Sequence, residues 1–289
     1  MPDLIDLDVW RIRYREAVQE ILPFVTPEVQ DLMARHQSAW GAGRFDFGEY
    51  LQRSEIRFAE AIKLMNIRTD AAHELIDVGG FWGAFPLSLV RCGCHASMTE
   101  AMQYYDSSFS PLFDWLQSEG VDIIDFDPFA TPESDDWRAP PVKKYRVATV
   151  MAVLEHYPHS LKTFFHNLRD LIRSGDGHAC IEVPNIAYWS HRVDLLMGRS
   201  PLPSAIDIHD SATPFLGHHH EYTATEFTSL LDHVDFTLDA MQSFNYSSAL
   251  SWKSWILSPI RTAMLSLVPS ARETMLFATT PQIPKSLPT

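Results

Sequence analysis

At 289 residues the chain has room for one large α/β domain or two small ones. Its 46% hydrophobic and 21% charged residues are ordinary for a folded protein and exclude collagen-like, coiled-coil and broadly disordered classes. With 37 acidic against 23 basic side chains the formal net charge is -14, which repels a phosphate backbone and sets nucleic acid aside as a partner.

Residues up to about 70 read as helical. The first stretch carries charges throughout and resembles neither a secretory signal nor a targeting peptide. Thr26-Pro27-Glu28 sets a capping hydroxyl before a proline suited to a first helical turn, and Leu51, Phe58, Ile62 and Met65 recur near helical spacing. Short apolar runs then alternate with helix-length intervals, at 74–78, 95–99, 121–125, 146–153 and 179–183. Strands buried on both faces produce that rhythm, so an open, doubly wound, mostly parallel sheet is expected. A proline-containing insertion follows at about 186–222, then a helix at 225–233 capped by Thr223 or Thr225, a strand at 236–241, a helix over 252–268 with one apolar face, and a last strand at 274–280. Cys92, Cys94 and Cys180 lack metal or disulfide spacing and fit a reduced, cytoplasmic setting. No apolar run reaches the roughly 18 residues that a membrane span requires, so no stable membrane insertion is expected.

The most informative stretch is Leu75-Ile76-Asp77-Val78-Gly79-Gly80-Phe81-Trp82-Gly83, a buried strand running through a glycine turn into a helix at 85–90. Such a turn lets a ligand approach backbone N–H groups closely. A dinucleotide fingerprint would require G-x-G-x-x-G, and Phe81 stands at its middle glycine. The segment resembles the first motif of the class I S-adenosylmethionine-dependent methyltransferases, D-x-G-x-G-x-G: Asp77, Gly79 and Gly83 match, Gly80 falls where a small residue is usual, and Phe81 departs. Glu100, 21 residues after Gly79, ends the second strand, where a carboxylate can accept ribose hydroxyls. The resemblance sets Asp127 near the adenine amino group, with Asp125 as the alternative.

A second resemblance lies at Val147 to Pro158, where Val153-Leu154-Glu155-His156-Tyr157-Pro158 is similar to the V-L-E-H-V-P of small-molecule O-methyltransferases of the ubiquinone-biosynthesis type. Similarity continues through 161–185 and, more weakly, through GHHHEYT at 217–223. It implies a seven-stranded methyltransferase sheet over 71–289, with residues 1–70 as a helical lid and the 186–222 insertion as a cap. The cofactor the resemblance implies is S-adenosyl-L-methionine, expected to be held by Asp77, Gly79, Gly80, Phe81, Gly83, Glu100, Asp127, Met151 and Ala152. Glu155 and His156 are expected to face the cleft, with His156, His218 or His220 expected to take a proton from the acceptor hydroxyl. Some relatives carry E-x-x-E-H and bind a divalent ion. Ala152 replaces the first glutamate, so no metal is assigned, although the His218–Glu221 cluster offers alternative ligands.

The expected partner is a small molecule, with Tyr188, Trp189 and Tyr222 lining its pocket. The stretch Ser54–Ala59, similar to helices of envelope-associated methyltransferases, points to a glycan, glycolipid or natural product. A homodimer through the 252–268 helix is a further expectation. The alternatives are a non-catalytic cofactor-binding descendant and an NAD-dependent oxidoreductase on the same sheet.

Overall fold

The computed structural model describes residues 3–36, 46–69, 74–133, 138–158, 160–213, 215–246 and 268–282. Asp6 opens the first helix, α1 (Leu7–Ile21), by accepting the N–H groups of Asp8 and Val9 at 2.9 and 3.2 Å. Trp10, Tyr14, Ala17, Val18 and Ile21 recur on one face and are buried. Proline at the first position starts α2 (Pro27–His36). Asp46 caps α3 (Phe47–Met65), which Asn66 ends in the left-handed region at φ 49°. These helices share one apolar core with the first helix of the sheet domain, α4 (Ala84–Arg91). Trp10 Nε1 donates to Ser88 Oγ at 2.9 Å, and Phe58 stacks on Phe85 at 4.4 Å between ring centroids.

Among the described residues seven strands form the sheet: β1 (Glu74–Val78), β2 (His95–Glu100), β3 (Asp122–Asp125), β4 (Val147–Met151), β5 (His178–Pro184), β6 (Phe236–Phe244) and β7 (Thr274–Pro281). Their spatial order is β3-β2-β1-β4-β5-β7-β6. The first five run parallel, and β7 inserts antiparallel between β5 and β6. The crossovers carry α4, α5 (Ser110–Ser118) and α6 (Lys162–Leu171), so both sheet faces are covered and the strands read as nearly continuous apolar runs. Strand order reverses between β1 and β4, which opens a crevice at their carboxyl ends.

The expected fold class is therefore present, with local differences. β4 stops at Met151 instead of 153, because Ala152 takes φ 58° and turns the chain. The insertion holds two helices, α7 (Trp189–Leu196) and α8 (Ala205–Asp210), the second closed by a reciprocal Ser204–Asp207 cap. Thr223, and not Thr225, caps α9 (Ala224–His233), paired with Glu226. Apart from Val268, the helix expected over 252–268 lies outside the described residues. Among the described residues, no helix is long and apolar enough to cross a membrane.

Candidate active site

The turn after β1 is built for close approach. Gly79 and Gly83 sit at φ 70° and 71°, in the left-handed region that glycine enters without strain. A Cβ on Gly80 would lie 2.9 Å from Met98 Cβ, so this position also has to be bare. Phe81 occupies the same left-handed region at φ 53°. The backbone therefore keeps a glycine-type shape at the position where the motif departs. The Phe81 ring packs beside Phe47, Tyr50 and Trp82, with centroids 6.0, 6.5 and 5.3 Å away.

Acidic groups line the cavity in front of this turn, which encloses about 380 Å³. Asp77 is buried at the end of β1, where its Oδ1 accepts the Thr149 hydroxyl at 2.6 Å; burial pushes it up to about 7. Glu100 is buried at the end of β2. The Phe81 N–H donates to its Oε1 and the Tyr105 hydroxyl to its Oε2, at 2.7 Å for the latter. Burial pushes Glu100 to about 7 as well, against those two bonds. An ionised carboxylate has about four lone-pair sites, so acceptor capacity remains for hydroxyls arriving from the cavity. Asp127 lines the same cavity and accepts from Gln103 Nε2 at 3.0 Å and from the Phe129 N–H at 2.9 Å. Asp125 instead accepts the Met102 N–H at 3.2 Å, outside the cavity wall.

A second cavity of about 850 Å³ adjoins the first, and Tyr50, Arg57, Ala152 and His156 border both. Its wall carries Glu155, Glu182 and Glu221, each less than a tenth exposed, together with His191 and His218. His156 Nδ1 lies 2.6 Å from the Leu216 carbonyl. A carbonyl only accepts, so Nδ1 carries the proton and Nε2 keeps its lone pair. Burial, and then the nearby His218, push His156 down to about 3 and hold it neutral. For His218 burial works in the same direction, but the 2.8 Å bond from Nδ1 to Glu221 and the charges of Glu155 and Glu221 prevail and raise it. Burial pushes Glu155 up to about 7. The loop that carries these histidines is tied down, because the N–H groups of His219 and His220 both donate to the Glu155 carbonyl, at 2.7 and 3.4 Å.

The expected cofactor residues Asp77, Gly79, Gly80, Phe81, Glu100, Asp127, Met151 and Ala152 all border the first cavity. Gly83 does not. It caps α4 from behind, where a Cβ would meet Leu116 Cδ1 at 2.5 Å. Glu155, His156 and His218 come together, but His220 is about half exposed and bonds Glu226 Oε1 at 3.0 Å on the surface, away from both cavities. Tyr188 borders the second cavity, whereas Tyr222 is buried against Phe227 and Trp189 borders neither. Sequence reasoning missed Arg57, whose Nη2 donates to the Met151 carbonyl at 3.1 Å and whose Nε lies 3.2 Å from Glu182 Oε2. It also missed Tyr105, Gln103 and Glu182. The one advance signal was the Ser54–Ala59 stretch, which contains Arg57.

The cradle fits S-adenosylmethionine by its own chemistry: bare glycines leave backbone room, Glu100 offers acceptors for a ribose, and the basic side chain of the lining, Arg57, is engaged by Glu182 and the Met151 carbonyl. A family described as Methyltransferase domain matches residues 47–240. No curated protein matches the chain in sequence. Among solved structures, the magnesium protoporphyrin IX methyltransferase of Synechocystis PCC 6803, crystallised with bound SAH, is 11% identical, with a TM-score of 0.50 over 88% of this chain and 98% of that one. A Mesorhizobium loti S-adenosylmethionine-dependent methyltransferase is 11% identical, with a TM-score of 0.49 over 78% of this chain and 97% of that one. The 1,6-didemethyltoxoflavin-N1-methyltransferase of Burkholderia thailandensis is 13% identical, with a TM-score of 0.48 over 80% and 79%. At 11% identity the first of these bears on the fold alone. The family match spans most of the chain, and the strand order and glycine turn agree with it: the chain belongs to the class I S-adenosylmethionine-dependent methyltransferases.

Proposed function

We propose that this methyltransferase acts on a hydroxyl oxygen of a small molecule held in the second cavity, in keeping with a glycan, glycolipid or hydroxylated natural product. The observation that carries the reading is the junction at Ala152 and His156, where a polar wall of Glu155, His156 and His218 meets the cofactor cavity. Glu100 would hold the ribose, Asp127 the adenine end, and Asp77 with the Gly79–Gly80 turn the methionine end. When bound, the cofactor supplies a methyl group on a sulfonium.

The protein's own part is placement and proton handling. Rigid strand ends fix the acceptor in line, which is worth several kcal/mol when reacting atoms are held near contact. Neutral His156 presents the Nε2 lone pair to the hydroxyl and orients it. His218, raised by Glu221 and Glu155, is the stronger proton acceptor of the two and is the proposed base. The fused aromatic edge of Phe47, Phe81 and Trp82 keeps water from the cofactor cavity. The test is calorimetric titration with S-adenosylmethionine, followed by transfer of an isotopically labelled methyl group to paired hydroxyl and amine acceptors read by mass spectrometry. Label on an ether oxygen supports the reading, and label only on nitrogen overturns it.

A further inference from the structure

We propose that the second cavity selects an acceptor bearing a protonated amine close to the hydroxyl that is methylated, as in an amino alcohol or amino sugar, and that Glu155 receives the amine. The inference rests on the hydroxyl-methylating reading above and narrows its substrate class. Among the described residues the cavity wall carries seven carboxylates and two arginines. Both arginines are already matched, Arg53 by Glu49 and Arg57 by Glu182. Asp46 and Asp207 cap helices α3 and α8, and Glu273 accepts the Tyr246 N–H at 3.0 Å. Glu221 lies between His218, 2.8 Å from its Oε1, and His191, 3.4 Å from its Oε2. Glu155 is left. Its side chain is 1% exposed, His218 Nε2 stands 4.0 Å from its Oε1, and its Oε2 is buried with no hydrogen-bond partner among the described residues. A buried carboxylate oxygen without a donor is a costly state, and an ammonium brings three N–H donors with a full positive charge.

The surroundings favour a cation. His156 is held neutral, and His218 has to be neutral to accept a proton, so neither offsets the negative wall. Tyr50 and Tyr246 border the cavity and already hold the Arg57 guanidinium over their rings, at 5.7 and 5.9 Å from the centroids. Aromatic faces of this kind attract ammonium groups as well. The spacing then links the amine to the reacting oxygen. One polar atom from each of Glu155, His156 and His218 lies within 4.8 Å of the others. An amine bonded to Glu155 therefore brings a hydroxyl on the next carbon within reach of the two imidazoles. Held as an ammonium, the nitrogen has its lone pair occupied by a proton and is no nucleophile. It anchors the acceptor while the oxygen is left to react.

Full-length protein without cofactor, in the presence of a chelator, is titrated at neutral pH with matched probes followed by ligand-observed NMR: serinol against glycerol, and glucosamine against glucose and N-acetylglucosamine. The free amine of each set should bind about 10–100-fold more tightly than its neutral counterparts, the range of a hydrogen bond to a charged group. Glu155→Gln should remove that preference and Glu155→Asp largely keep it, while Glu119→Gln, on the surface beside Arg91, leaves it unchanged. Circular dichroism and S-adenosylmethionine affinity report whether each variant is folded. Equal binding of neutral and amine probes overturns the proposal, as does a preference that survives Glu155→Gln, or no binding of either amine at tens of millimolar. No methyl group moves in this experiment, so those results leave oxygen methylation to its own test, and label found only on nitrogen there would leave the measured amine preference standing.

Discussion

Replacing Glu100 by glutamine separates what the side chain does for cofactor binding from what it costs the empty protein. Glu100 is 5% exposed and pushed to about 7 by burial, while its unfolded-state value is near 4.3. The folded form thus binds the proton more tightly, and stability falls as pH rises through the window between those two values. At about 1.4 kcal/mol per pH unit the loss reaches about 4 kcal/mol above pH 7. Glutamine carries no charge to desolvate. It keeps one carbonyl for the Phe81 N–H but weakens the pairing with Tyr105, a loss of about 1 kcal/mol. The net expectation at pH 8 is an apo protein about 3 kcal/mol more stable than the parent, with the gain vanishing by pH 5. Cofactor affinity moves in the opposite direction. A charge-assisted hydrogen bond to a ribose hydroxyl contributes about 1.5–3 kcal/mol, so the dissociation constant should rise about 10–100-fold. Denaturant melts at pH 5 and 8, with calorimetric cofactor titration on the same samples, measure both. Unchanged affinity would refute Glu100 as the ribose acceptor, and a loss of stability at pH 8 would refute the burial argument.

Three further outcomes follow from the same geometry. The kcat/KM profile should rise with pH through an apparent pKa above the ordinary histidine value, since His218 must be neutral to accept a proton; Glu221→Gln should move that limb to lower pH, and an unmoved limb would assign the base elsewhere. Gly83→Ala should cost about 1–2 kcal/mol from its left-handed backbone alone, with more from the Leu116 contact, measured by urea melts. Trp10→Ala should cost about 3–5 kcal/mol, because Trp10 is fully buried and bonded to Ser88; a shift under 1 kcal/mol would show the N-terminal helices to be separable from the sheet.

The parts of the fold legible in the sequence are those that bury periodic apolar surface. β1, β4 and β5 are short, mostly apolar runs buried along nearly their whole length because both faces are covered, and α9 announces itself by Thr223, Glu226 and a buried Phe227 and Leu231. The helices of the insertion were invisible for the complementary reason: α7 and α8 bury no residue completely, so no apolar stripe marks them. The carboxylates that line the first cavity were readable as a group because Asp77, Glu100 and Asp127 lie at or just past the ends of β1, β2 and β3, where side-chain direction follows from the pleat. Choosing among His218, His219 and His220 was out of reach, since three adjacent loop residues point apart and only the bonds from the loop to the Glu155 carbonyl decide which faces the cavity. Arg57 was obscured for a similar reason. It lies on a helix 94 residues from the Met151 carbonyl it meets.

The two departures from the family motifs, Phe81 and Ala152, make sense together once both are located. Each is a non-glycine residue at positive φ, and each borders the first cavity. Phe81 supplies an aromatic edge that closes the cavity toward α3. Ala152 does the reverse: it is the small residue at the passage into the second cavity, flanked by His156 on the turn after β4 and by Tyr50 and Arg57 on α3. Methyl transfer requires acceptor and sulfonium in line across such a passage, so bulk there would separate the reactants. The buried Arg57–Glu182 pair fixes the opposite wall by tying α3 to β5, and removing either partner would strand a charge at a cost of about 3–5 kcal/mol. The residues before β1 in that sense wall both cavities. The glutamate that related motifs place at position 152 would fill the passage, and His218, arriving from the loop at 216–220, brings a polar group to Glu155 while leaving it open.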